Sequence, residues 1–191
     1  MRIGPFRLPW GDEHAKDPYW ERFIKTPPAD MANLVTQMIR ESTEGNVFPA
    51  KAELHTPDIT SRHIKELAVY LGADHVGVAR LNDDPEGHPF AVVCAVQADY
   101  APRVSPGIGG QVPVLNGMFV SFVLSAYIRE LGFRATAAQE DPEELRERLA
   151  AAAGLGTVNA QGRLSTPKLG TRVHVVNLVR TDLPLAPDGE H

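Results

Sequence analysis

The sequence predicts an α+β fold in one domain with an N-terminal extension, and three observations carry that expectation. Segments of helical and strand period follow one another as helix, strand, strand, helix, strand, helix, strand, which fits helices packed against a modest sheet. Phe90 to Val96 is an unbroken apolar run, the pattern of a central strand buried on both faces. Val114 to Leu131 is apolar nearly all round, which places a helix in the middle of the molecule.

Residues 1–26 scatter Phe6, Trp10, Tyr19, Trp20 and Phe23 among proline, glycine and charge. So aromatic a stretch reads as an arm packed across the main body or across a second subunit. Ala29 to Arg40 spaces Met31, Leu34, Val35, Met38 and Ile39 helically behind an Asp30 cap, as a dimerisation helix or a helix laid on its own core. Residues 1–48 are thus expected as an arm and helix, and residues 49–191 as the main domain. After a connection from Glu44 to Pro57, Asp58 or Thr60 caps a helix with Ile64, Leu67, Ala68 and Leu71 on one face. Gly72 ends it.

His75 to Leu81 alternates like a strand, and Asn82 to Pro89 is turn chemistry. Gln97 to Pro113, with Pro102, Pro106, Gly107, Gly109 and Gly110, predicts a loop, and loops of that length more often serve function than not. Gly132 closes the apolar helix, and Phe133 to Ala137 forms a short strand. Asp141-Pro142-Glu143-Glu144 opens the last helix with proline in the first turn and acids at the positive dipole end. That helix delivers the chain at Ala153 to an ordered glycine-rich loop, Gly154 to Gly170, whose glycines would let a flat ligand approach the backbone. Val173 to Val179 is the last strand, and Pro184 to Gly189 reads as a frayed end.

Composition excludes several classes. A net charge of −5 gives no electrostatic footprint for nucleic acid. No uninterrupted apolar run reaches the roughly 18 residues of a membrane span. No secretory apolar region follows Met1, so a cytoplasmic location is expected. The single cysteine, Cys94, rules out an intrachain disulfide and an all-cysteine iron–sulfur site, and its apolar setting makes it a buried small hydrophobe.

The seven histidines lack metal-ligand spacing, so no metal ligand is assigned. Gly107-Ile108-Gly109-Gly110 matches neither phosphate-loop pattern. Asp99 and Tyr100 end the central strand, where a carboxylate and a phenol could face a cleft or simply pack at the rim. Arg163, Lys168 and Arg172 lie in a stretch with no acid until Asp182. They suit a ligand bearing carboxylates, amide carbonyls or phosphate, and a solvated basic loop accounts for them equally. His174 shares a strand face with Arg172 and Val176 as the chain leaves the glycine-rich stretch.

Several phrases resemble one family in its order. Ala153-Gly154-Leu155-Gly156, then Gln161-Gly162-Arg163-Leu164-Ser165-Thr166-Pro167-Lys168-Leu169-Gly170-Thr171-Arg172-Val173, then Thr181-Asp182-Leu183-Pro184-Leu185 are similar to the cobalamin-binding region of reductive dehalogenases and, more distantly, of epoxyqueuosine reductases. Ser61 to Ala68, Leu71 to Val78 and Tyr127 to Ala135 look like the same family, so the likeness spans about residues 49–187. It implies a nitroreductase-like α/β sandwich that holds a corrinoid mainly through backbone groups, with no histidine beneath the cobalt. It implies corrinoid contacts at Asn116, Gly117 and Met118, at Gly154, Leu155 and Gly156, at Gln161, Gly162, Leu164, Ser165, Thr166 and Gly170, and at Arg172 and His174. In that family a tyrosine supplies a proton with a cationic residue beside it, and Tyr100 and Arg172 are the candidates for those two roles here.

Three departures qualify the likeness. The family continues into a module with two cysteine-rich cluster motifs, which this sequence does not contain. The segment Val114-Leu115-Asn116-Gly117-Met118 lacks the family's tyrosine, and Thr157-Val158-Asn159-Ala160 lacks an expected glycine. The resulting expectation is a corrinoid-binding protein without iron–sulfur clusters that works with a separate iron–sulfur or flavin reductase, or handles the cofactor. A homodimer is an even alternative to a monomer. A cofactor-free interaction or sensory protein on the same scaffold and a flavin-dependent nitroreductase-like enzyme are the rivals. The physical core of the expectation is a broad hollow beneath the apolar helix, bordered by the glycines of the final third.

Overall fold

The computed structural model describes residues 27–98, 108–137 and 141–189. The aromatic arm, Asp99, Tyr100 and Gly107 lie outside those residues. In chain order the elements are α1 (Pro27–Glu41), α2 (Pro57–Tyr70), β1 (His75–Arg80), β2 (Phe90–Gln97), α3 (Ile108–Glu130), β3 (Ala135–Ala137), α4 (Glu143–Ala152), β4 (Thr157–Val158), β5 (Leu164–Ser165), β6 (Val173–Val175) and β7 (Val179–Thr181). This is the mixture of helices and antiparallel strands that the periodicities predict.

The central strand is β2. Along one edge it pairs antiparallel with all of β1, from His75 opposite Ala95 to Arg80 opposite Phe90. Along the other it takes β6 and β7 in succession, and β3 pairs with β7. Alternation along β2 feeds two cores. Val92, Cys94 and Val96 join Ile64 and Ala68 of α2 and Val120, Leu124 and Ile128 of α3. Ala91, Val93 and Ala95 face Ala150 of α4, Leu155 and Leu164. The small residues on this second face let α4 come close. Gly77 of β1 continues that face, and a Cβ there would collide with the Ala153 carbonyl and the Leu155 side chain. Each fully buried Val or Leu contributes about 1.5–3 kcal/mol relative to exposure, so these two clusters dominate stability.

Several expectations are corrected. The central helix begins at Ile108, not Val114, and carries Pro113 inside it. Gly110 and Pro113 are buried there, so packing outweighs two residues that locally disfavour a helix. Gly110–Glu130 is also long and apolar enough by composition to cross a membrane, although no unbroken apolar run reveals it. In this fold Val120, Leu124 and Ile128 of that helix are fully buried in the core. The expected caps of α2 are absent: Thr56 precedes the helix without a side-chain cap bond, and Pro57 opens it.

The segment from Pro184 to Gly189 is tied down, not frayed. The Val78 amide donates to Asp188 Oδ2 at 2.8 Å, and the Asp188 amide returns a bond to the Val78 carbonyl at 2.9 Å. Lys65 Nζ meets Asp188 Oδ1 at 2.6 Å, and the Ala186 amide donates to Ser61 Oγ at 2.7 Å. These contacts cover the free edge of β1, which would otherwise present unpaired backbone groups.

Candidate functional site

The glycine-rich stretch is a hairpin and a turn, not an open loop. Thr157 opposes Ser165 and Val158 opposes Leu164. Asn159 closes the hairpin: its amide donates to the Arg163 carbonyl, and its Oδ1 accepts from the amides of Gln161 and Arg163 at 3.0 Å. Gly162 sits at φ +74°, the left-handed position such a three-residue loop requires. Thr166 and Gly170 exchange backbone bonds across the next turn, and Thr166 Oγ1 accepts from the Leu169 amide.

Two more glycines in the candidate set are packing positions. A Cβ on Gly156 would strike the Ser165 carbonyl, and one on Gly117 would strike Val176. Leu155 and Leu164 are buried in the core beneath the hairpin. Gln161, Ser165 and Thr166 belong to the hairpin and the turn after it, and Gly154, at φ +74°, closes α4. The broad glycine-lined hollow is therefore not present among the described residues.

A cavity opens one layer away, where β6 passes into β7. Ala95 opposes Val175, whereas Val92 opposes Val179. Three steps along β2 thus match four along its partner, so the Val176–Leu178 segment carries a β-bulge. Bulges interrupt the ladder and re-aim side chains, often beside functional sites. Here Val176 keeps a backbone bond to Cys94, while Asn177 reaches Met118, its Nδ2 lying 3.2 Å from Sδ.

The cavity has a volume of about 290 Å³. Gln111, Val114 and Met118 of α3 form one side, and His174, Val176 and Asn177 form the floor. Arg163 from the hairpin, Asp141 with Glu143 and Arg146 at the start of α4, and Arg40 of α1 complete the lining. Among the expected site residues, Met118 and His174 meet here. Asn116 and Arg172 are exposed and do not line it.

Charge around the cavity is close to balanced. Arg163 Nε lies 3.4 Å from Glu147 Oε1 and 3.7 Å from Glu143 Oε1, which corrects the reading of Arg163 as a cation without local partners. Glu147, almost fully buried, also accepts from the Leu164 amide at 2.8 Å, fastening the hairpin to α4. Arg146 Nη1 donates to the Val175 carbonyl at 2.8 Å.

Behind the wall, Arg180 bridges Asp141 Oδ1 at 2.5 Å and Asp84 Oδ1 at 2.9 Å. Burial pushes the Asp84 carboxyl up. Bonds from the backbone and ring of His88, together with the Arg180 charge, outweigh that and hold it below its ordinary 3.8. The second Asp141 oxygen is buried and receives no hydrogen bond from the described residues.

His174 takes its character from this setting. Burial first, then the positive charges of Arg146 and Arg163, push its pKa down to about 4. The ring is neutral near pH 7, with one nitrogen able to donate and one to accept. With Gln111, Asn177 and the open Asp141 oxygen, the cavity offers mixed donors and acceptors around an apolar patch. Such a lining can pair with neutral amide groups as well as with anions.

Sequence reasoning missed Gln111, Asp141, Glu143, Arg146 and Asn177. The available signal was Asn177, a lone amide inside the otherwise apolar run Val175 to Val179.

No protein-family model matches the chain. No curated protein matches it either. Solved structures do. A reductive dehalogenase whose structure is described as suggesting a mechanism for B12-dependent dehalogenation is 29% identical, with a TM-score of 0.66 over 85% of this chain and 24% of its own. A catabolic reductive dehalogenase in complex with 3-bromo-4-hydroxybenzoic acid is 29% identical, with a TM-score of 0.65 over 86% of this chain and 25% of its own. Epoxyqueuosine reductase from Bacillus subtilis is more distant, at 14% identity and a TM-score of 0.46 over 70% of this chain and 48% of its own. The chain spans about a quarter of the length of the dehalogenases it matches. Their likeness to it in sequence motifs is thus also a likeness of structure.

Proposed function

We propose that this chain is a corrinoid-binding domain of the reductive-dehalogenase kind, a nitroreductase-like sandwich. The observation that carries the reading is the structural match at 29% identity over 85% of the chain to a protein tied to B12-dependent chemistry. The cavity supports it in kind, because a corrin ring is apolar on its faces and rimmed with amides. Gln111, Asn177 and neutral His174 are suitable partners for such a rim, and Val114, Met118 and Val176 for an apolar edge. In size the cavity falls short: about 290 Å³ takes an edge of the ring, not the whole macrocycle. The described residues therefore supply one wall of the site.

A bound corrinoid would supply low-valent cobalt for reductive cleavage. This chain's own residues bind and orient; with one cysteine, buried and with its thiol pushed up to about 12 by burial, it offers no cysteine cluster to deliver electrons. Electrons would come from an iron–sulfur or flavin reductase elsewhere. Arg172 is proposed as the cationic residue and Tyr100 as the proton donor, the latter outside the described residues.

One observation favours a second reading, a cofactor-free scaffold. Gly117 and Gly156 are pressed against Val176 and Ser165, so the glycines explain themselves without a ligand.

Adding hydroxocobalamin to the purified protein separates the two. Corrinoid binding is expected to shift the visible bands and to carry the pigment through gel filtration with the protein. Unshifted bands and colourless protein would sink the first reading.

A further inference from the structure

The amphipathic helix α1 packs on the domain and also turns an apolar stripe away from it. It packs along α3, and among its described side chains the buried ones are Ala32 and Thr36. Three of its apolar side chains point outward, Leu34 at 50% exposed, Met38 at 62% exposed and Val35 between them, while Ile39 is half-buried. Leu34 and Met38 lie one turn apart, so the three form a continuous stripe. On α3, the helix α1 packs against, Phe119 is also exposed at 46%. Such a stripe on the outer helix calls for a cover.

We infer that the chain's own N-terminal aromatic segment, Phe6 to Phe23, docks on the outward stripe of α1. The segment ends four residues before Pro27, where α1 begins, so its local concentration at the stripe is set by a very short tether. Seven residues separate Trp20 from Pro27 and reach up to about 25 Å extended. The whole of α1 is about 22 Å long, so every point of the stripe is within range. Phe6, Trp10, Tyr19, Trp20 and Phe23 supply large rings with few torsions to immobilise, the side chains best suited to cover aliphatic surface. A partner in trans would have to compete with this tethered occupant. The inference does not depend on what the domain binds.

Both tryptophans of the chain, Trp10 and Trp20, lie in this segment, so tryptophan fluorescence reports on it alone. In the intact protein, emission is expected blue-shifted, and iodide quenching several-fold weaker, relative to a peptide of residues 1–26. Met38→Glu and the milder Leu34→Gln are expected to move both readings to the peptide's values with the circular dichroism of the domain unchanged. Tyr70→Glu, at an 86% exposed site on α2, is the control and moves neither.

Emission in the intact protein equal to that of the peptide would overturn the inference. So would emission that ignores both α1 variants, or that responds equally to the control. A dimer that dissociates on Met38→Glu, or emission that depends on protein concentration, would give the stripe to a second copy and overturn it too.

Discussion

Residues 154–170 and residues 173–181 are separated by only two residues, and they treat space in opposite ways. The first holds four glycines and gives the cavity one side chain, Arg163; the second holds no glycine and floors the cavity. In the hairpin each glycine answers a local demand, a left-handed turn at Gly162 or a backbone wall against Gly156. In the bulged strand one inserted residue breaks the ladder and turns Asn177 toward Met118. Glycine here marks a left-handed backbone or, at Gly156, a place without room for a side chain. The polar cavity lies where the register fails.

If the hairpin is a folding device, its fastening to α4 should matter most. Glu147→Ala removes the acceptor of the Leu164 amide and leaves Arg163 short of a carboxylate in a poorly solvated place. A loss of about 3–4 kcal/mol is expected from urea unfolding midpoints. A loss below about 1 kcal/mol would mean that the hairpin holds itself, and the contrast between the two regions would weaken.

Gly156→Ala tests the same region through sterics alone. The new methyl meets the Ser165 carbonyl, which cannot swing aside like a flexible side chain. Overpacking of this kind costs about 2–3 kcal/mol. Were Gly156 kept free for a ligand, the substitution would spare stability and strike binding instead, the reverse of the expected pattern.

The cavity side is probed by acid. Above the ordinary histidine value of 6.5, His174 is neutral folded and unfolded, and its ionisation contributes nothing. Between 6.5 and about 4 the unfolded ring takes a proton that the folded ring refuses, so stability falls as pH drops through that window. Below about 4 both forms are protonated and the loss stops growing. The expected cost is about 2 kcal/mol from pH 7 to pH 5. His174→Gln should flatten that slope, and an unchanged slope would show that the ring is better solvated than its neighbours imply.

The order of elements, the two strands flanking Asn82–Pro89 and the apolar central helix were legible, because burial leaves a period in the sequence. The start of α3 was not: Gly110 and Pro113 speak locally for a loop, and only packing makes them helical. The outward face of α1 was equally hidden, since periodicity tells that a stripe exists but not what it meets. At the site, His174 was found from its strand face. The acids and arginines around it come from α1, α4 and the hairpin, and no spacing in the sequence ties those elements together. The split of β6 from β7 was invisible for another reason, because a bulge is a mismatch between two strands and only one of them carries Asn177.

Asn177 is where the two regions can be told apart most finely. It is nearly buried, and among the described residues its side-chain amide donates to a thioether, a weak acceptor. Asn177→Ala should therefore cost under about 1 kcal/mol of stability, far less than Glu147→Ala, since no strong hydrogen bond is lost. If the amide is turned inward to meet a ligand, the same change should weaken hydroxocobalamin binding about tenfold, the worth of one good hydrogen bond. The two measurements on one variant separate the possibilities. A stability loss as large as that of Glu147→Ala, with binding intact, would make the bulge a device for folding like the hairpin beside it. An unchanged midpoint with weakened binding would leave the inserted residue no structural reason to be there, and ligand recognition as its purpose.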